Sequence, residues 1–145
     1  MTGRYDSVIV RSVCRVLIPF IQAYGLYVIA HGHSSPGGGF QGGVIVGAGF
    51  ILLLIAEGKE GLPRRFLERG LTVWAGAGLL LYAGIGAVPI LAGGNFLDYG
   101  RIPLPLESIP RIRALGILGI EIAVGVGVAA IMVILFHSLS RGAKD

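Results

Sequence analysis

The chain has 145 residues, 54% of them hydrophobic and 14% charged, with a mean hydropathy of +0.79. A soluble domain carries about a quarter charged residues, so this composition excludes a soluble enzyme or a disordered tail and describes a membrane protein. The net charge of +4 comes from basic residues at the ends of apolar runs, which informs topology and is no nucleic-acid footprint.

Met1 to Asp6 lacks the short apolar region and small-residue cleavage site of a signal peptide, so the first apolar run is expected to stay in the protein. That run, residues 8–30, is long enough to cross a bilayer as a helix, since about 20 apolar residues span the 30 Å core. Arg11 and Arg15 lie one turn apart near its start, where long side chains reach the interface. Gln22, deeper in the run, is a candidate for a pathway and also for a helix-to-helix hydrogen bond. Cys14 has no second cysteine to pair with.

A turn-rich segment follows, His31-Gly-His-Ser-Ser-Pro-Gly-Gly-Gly-Phe40. His31 and His33 are candidates for proton handling or for fixing the loop. A metal site would need three or four ligands, and none is expected here. The glycine run after Pro36 has no Gly-Lys-Ser/Thr behind it, which excludes a phosphate loop. Gly37, Gly38, Gly39, Phe40, Gly42 and Gly43 instead suit a tight, close-packed start to a second span, set at 37–56.

Gly39, Gly43 and Gly47 recur every four residues in that span, the stripe that lets helix backbones approach closely. Lys59, Arg64, Arg65 and Arg69 occupy the next connection, and a third span is set at 71–92. The connection after it holds Asn95, Asp98, Arg101, Glu107 and three prolines, Pro103, Pro105 and Pro110, and is expected to fold irregularly over the outer surface. Ser108 is a candidate N-cap for the fourth span, set at 114–136.

The fourth span has two small-residue stripes, Gly119-Ala123-Gly127 and Glu121-Gly125-Ala129, about 200° apart at 100° per residue. One stripe serves packing within the chain, and the second points to a neighbouring subunit. Glu121 is the one acidic residue well inside a predicted span. Counted from the middle of its own run, it lies about 6 Å to the exterior side of the midplane. A carboxylate at that depth is costly unless a cation, a donor or water reaches it, so Glu121 is a candidate for proton or cation handling, against a structural hydrogen bond.

Nine basic residues (Arg4, Arg11, Arg15, Lys59, Arg64, Arg65, Arg69, Arg141, Lys144) fall on one side of the four spans and three (Arg101, Arg111, Arg113) on the other. The chain is therefore read as one all-α membrane unit, residues 1–145, with four transmembrane helices and both termini cytoplasmic.

The stretch Tyr24-Gly-Leu-Tyr-Val-Ile-Ala-His-Gly-His-Ser-Ser-Pro-Gly-Gly-Gly-Phe-Gln-Gly-Gly43, with Ala75-Gly-Ala-Gly-Leu-Leu-Leu81 and a carboxylate in the last span, resembles the MnhB/MrpB subunit of multisubunit Na+/H+ antiporters. The resemblance runs from about Arg11 to Phe136. The family is associated with Asp as well as Glu at the position of Glu121, so the carboxylate is kept and its length differs. The resemblance implies a multi-pass subunit in a prokaryotic cell membrane. Its partners would be other membrane subunits and lipid, Na+ and H+ would be the ions of the complex, and it would have no cofactor. The same subunit type occurs in membrane-bound hydrogenases and related respiratory complexes, an alternative that stays open beside a small self-associating channel. With a single deep carboxylate the chain is too sparse to be a pump alone, which points to an accessory subunit without catalytic activity that lines part of a pathway.

Overall fold

In hydrocarbon every backbone amide must find its partner within the protein, so apolar runs of this length become helices. The computed structural model describes residues 8–32, 34, 37–57, 62–63, 65–105 and 108–142, with the backbone alone for Glu68, Arg141 and Gly142. Four helices form: α1 Val8–Ala30, α2 Gly39–Glu57, α3 Leu71–Leu91 and α4 Ile109–Gly142. All four are long and apolar enough to span a membrane, and no strand occurs among the described residues. Pro19 and Pro89 sit inside α1 and α3, as membrane helices tolerate.

The observed ends correct the sequence reading in three places. The second helix starts at Gly39, two residues later than expected. A π-helical turn, Phe66–Gly70, leads directly into α3, with the Leu71 amide bonding back to the Phe66 carbonyl. That widened turn sets Leu67 and Leu71 against Ala130 and Val133 of α4, the most fully buried cluster among the described residues. The fourth helix begins five residues before the expected boundary and runs six beyond it, 34 residues in all. The Ser108 carbonyl accepts the Arg111 and Ile112 amides, placing Ser108 at the N-cap position. Pro110 is then in the first turn, where its missing N–H costs nothing.

The helices pack in a row, α1 on α2, α2 on α4 and α4 on α3. Gly42 lies against Ile29, and Gly49 against Gln22, so α1 and α2 are antiparallel. Gly39 meets Glu121 and Gly43 meets Gly125, so α2 and α4 run parallel. Gly78 meets Ala123 and Gly127 while Ile85 covers Gly119, so α3 and α4 are antiparallel. Val8 and Gly142 therefore share one end of the row, called here the terminal end. There Arg15 Nε donates to Glu57 Oε1 at 2.7 Å, an exposed pair worth about 1 kcal/mol at most.

The closeness of these contacts explains the glycine excess. A Cβ on Gly43 would lie 2.7 Å from the Gly125 carbonyl oxygen, and one on Gly78 2.8 Å from that of Ala123. The two stripes of α4 are thus both used within the chain, one by α2 and the other by α3. This corrects the assignment of the second stripe to a neighbouring subunit: a small-residue stripe shows that a face packs closely, not which helix packs on it.

At the far end, the connection between α3 and α4 folds back over them. Phe96 packs on Gly86, and the Leu97 amide donates to the Gly86 carbonyl with Leu97 at φ 63. A short 3-10 turn, Tyr99–Arg101, then lays the Tyr99 ring over Gly116 of α4. Replacing Gly43 with Ala should destabilise the protein by about 2 kcal/mol, because backbone blocks the new methyl. Gly84→Ala, where a Cβ meets nothing within 4 Å, should be neutral or stabilising by up to about 1 kcal/mol. Detergent-unfolding midpoints of the two variants check this ordering.

Candidate functional site

An α-helix leaves its first four amides without partners, and a Ser, Thr, Asp or Asn just before it commonly fills that need. Helix α2 has no such residue, because Gly38 precedes it without a side chain. The cap comes from another helix: the Glu121 carboxylate of α4 accepts the Gly39 N–H through Oε2. The carboxylate is seated against glycine backbone. A Cβ on Gly38 would lie 2.7 Å from Glu121 Oε1, and one on Gly32 2.9 Å from Glu121 Cδ. The positive end of the α2 macrodipole faces the negative charge, so a half-buried carboxylate has electrostatic support from the chain itself.

The level of the site differs from the one counted along the sequence. Glu121 is opposite the first residue of α2, and the 19 residues of that helix measure about 28 Å, close to the hydrocarbon thickness. Glu121 therefore lies about 13 Å from the middle of α2, at the far end of that span and not near its centre.

Of the other pathway candidates, Gln22 and His31 do not join it. Gln22 donates from Nε2 to the Val46 carbonyl at 3.2 Å, a helix-to-helix bond about 10 Å closer to the terminal end by the rise between Gly39 and Val46. Between the two levels sits the Ile29 side chain, buried against Gly42 of α2 and Gly125 of α4. His31 is exposed on the other side of α2, its ring stacked on Tyr27 at 4.1 Å and its Nδ1 3.1 Å from the Tyr27 carbonyl. With Tyr24, Gly37, Phe40 and Gln41 it lines an open cleft of about 790 Å³. Gly42, Gly43 and Gly47 are helix contacts. His33 and Pro36 lie outside the described residues. No group of three or more His, Cys, Asp or Glu poised for a metal occurs among the described residues.

The stacking of His31 on the α1 tyrosines escaped the sequence reading. Tyr24, Tyr27 and His31 stack along one face of α1 and its end, and their 24, 27, 31 spacing carries that signal. In the sequence Tyr99 reads only as an aromatic near the membrane interface, because nothing local ties it to Glu121. Its hydroxyl is pushed above the ordinary 10.0 by burial first, then by Tyr82 and by the Glu121 charge.

Residues 9–134 match the family described as a domain related to the MnhB subunit of the Na+/H+ antiporter. The chain belongs to the MnhB family. Two staphylococcal relatives of similar length carry names as antiporter subunit mnhB2. The Staphylococcus aureus (strain MRSA252) protein is 31% identical over 141 residues, covering 94% of this chain and 96% of the relative. That of Staphylococcus haemolyticus (strain JCSC1435) is 28% identical with the same coverage. Family membership and four membrane-spanning helices make the chain a multi-pass plasma-membrane protein with the role of an antiporter subunit. A subunit of this kind is a transport-complex component, with other membrane subunits as partners.

A phenol with a raised pKa adds stability that is complete below its unfolded value and is lost as pH rises through the higher folded one. The 3-10 turn of this MnhB-family chain should therefore hold up to pH 10.0 and loosen above it. Tyr99→Phe should abolish that alkaline step. Proteolysis of the α3–α4 connection against pH is the readout, and a step that survives in Tyr99→Phe would assign it to another group.

Proposed function

We propose that this chain is an accessory subunit of a multisubunit Na+/H+ antiporter, without catalytic activity of its own, and that Glu121 forms part of the ion route at its exterior mouth. The observation that carries the reading is a carboxylate held on a helix N-terminus, within an otherwise apolar four-helix unit of the MnhB family. The excess of Lys and Arg at the terminal end supports cytoplasmic termini. The far end, with Glu121 and the folded connection, then faces outward.

Two features support a shared route. Glu121 is level with the start of α2, where water and ions can reach it from the membrane surface. Below it, Ile29 fills the space toward Gln22 with hydrocarbon, which favours an onward path completed by a partner subunit. The antiporter names of the relatives support this setting over a hydrogenase-type complex or a self-associating channel.

Topology is checked by cysteine labelling in a Cys14→Ser background. Ser140→Cys should react only from the cytoplasm and Asn95→Cys only from outside, and reversed accessibility would contradict the orientation. Transport is checked in everted vesicles as Na+-dependent dissipation of a pH gradient. Glu121→Gln keeps shape and hydrogen bonding and removes the titratable charge, so the rate should fall at least about tenfold with the complex intact on native gels. Glu121→Asp should keep part of the activity. A wild-type rate in Glu121→Gln would remove the carboxylate from the route.

A further inference from the structure

We infer that Ile29 is the hydrophobic seal of the outer mouth: its side chain stops water and ions from outside at the level of Glu121 and keeps them out of the seam between α1, α2 and α4. This rests on the placement of Glu121 at the exterior mouth and identifies what closes that mouth from below.

The closure starts from two glycines. Gly42 of α2 and Gly125 of α4 lack side chains where α1 comes closest, and the Ile29 side chain occupies the space of both. A Cβ on Gly42 would meet Ile29 Cγ1, and one on Gly125 would lie 2.7 Å from Ile29 Cδ1. At 8% exposure, Ile29 is closed in by the helices of this chain alone. A β-branched side chain is stiff at χ1, so the filler is fixed in its slot.

Its level gives the filler a role in transport. Glu121, Gly125 and Ala129 follow one another on one face of α4. Gly32 and Gly39 lie against Glu121, and Ile29 lies against Gly125, about 6 Å nearer the terminal end. Beyond Ile29 this face borders an apolar groove of about 300 Å³, lined by Leu26, Val46, Ala129 and Val133 among others. On α1 the same side continues through Gly25, on which Val46 packs, to Gln22, bonded to the Val46 carbonyl. Ile29 thus separates the carboxylate from two onward spaces, the groove and the Gln22 seam. A short hydrocarbon constriction excludes ions by excluding the water that would solvate them. An exchanger needs such a barrier, since a route open at both ends at once lets ions run down their gradient uncoupled.

The backbone of the same residue ties the seal to the seat above it. The Ile29 carbonyl accepts the Gly32 amide at 3.2 Å, and Gly32 borders the carboxylate. Substitutions that change only the Ile29 side chain leave this bond in place, so they test the seal and not the seat.

The test is silver access from outside. Silver ion is small and binds the thiolate, which forms where water reaches the sulfur. Val46→Cys in the Cys14→Ser chain puts a thiol one turn below Gly42, against Gly25, within the full complex in right-side-out vesicles. Silver nitrate is added outside, and the thiol left over is counted with a maleimide on the denatured, isolated chain. With Ile29 intact, modification should be slow. Ile29→Ser should speed it at least about tenfold, while Ile29→Val, which keeps the branched hydrocarbon, should not. Leu67→Ala removes a comparably buried side chain at the terminal end and should leave the rate unchanged. Fast modification with Ile29 intact, a rate that Ile29→Ser does not raise, or an equal rise in Ile29→Val or Leu67→Ala would overturn the inference. If Ile29→Ser does not assemble, Ile29→Ala serves with the same expectation. Access opened by Ile29→Ser together with wild-type transport in Glu121→Gln would keep the seal and remove Glu121 from the route. Loss of transport in Glu121→Gln with access unmoved would sink the seal and leave the subunit reading standing.

Discussion

The start of a helix at the edge of the hydrocarbon is a problem that α2 does not solve with its own residues. Its first amides point out of an apolar bundle, and the positions before it are glycines. The carboxylate of Glu121, 82 residues away in sequence, accepts the Gly39 amide. A charge-assisted bond of this kind is worth about 1.5–3 kcal/mol, and the macrodipole adds up to about 2 kcal/mol in a partly buried setting. Neither group is comfortable alone. An uncapped amide and an unpaired carboxylate would each be costly at that depth, so the pairing fixes the level at which α2 and α4 meet.

That level propagates through the row. With Gly39 set against Glu121, the four-residue repeat brings Gly43 onto Gly125 and Gly47 onto Ala129, and α2 has no freedom to slide without driving backbone into side chains. The opposite face of α4 receives Gly78 in the same manner, and Gly42 and Gly49 of α2 receive Ile29 and Gln22 of α1. The two inner helices are thus specified on both sides, while α1 and α3 leave large apolar side chains such as Phe20, Leu80 and Leu91 exposed, as suits lipid or neighbouring subunits.

Much of this was legible in the sequence, and the failures have physical causes. The four helices follow from apolar length, and α1 ends at Ala30, as expected, where the His31 loop begins. The start of α4 was hidden because Pro110, Arg111 and Arg113 read as loop, although proline is at home in a first helical turn and arginine projects from a helix outside the core. Glu121 stood out as an acidic residue in an apolar run. Its level could not be found from that run, since depth is set by the helix it packs against. The seat at Gly32 and Gly38 was equally hidden, because a long-range contact leaves no trace in local spacing. The Gly43 and Gly47 stripe was readable, and its partner was not.

The central claim is that Gly38 is glycine because the Glu121 carboxylate occupies the space of its side chain. A double-mutant cycle on the unfolding of the assembled complex measures this directly, with Gly38→Ala, Glu121→Ala and the pair. Gly38→Ala alone should destabilise by displacing the carboxylate, and in the Glu121→Ala background it should cost almost nothing, giving a coupling of at least about 1 kcal/mol. Strictly additive effects would mean that the two residues do not meet, and would contradict the account.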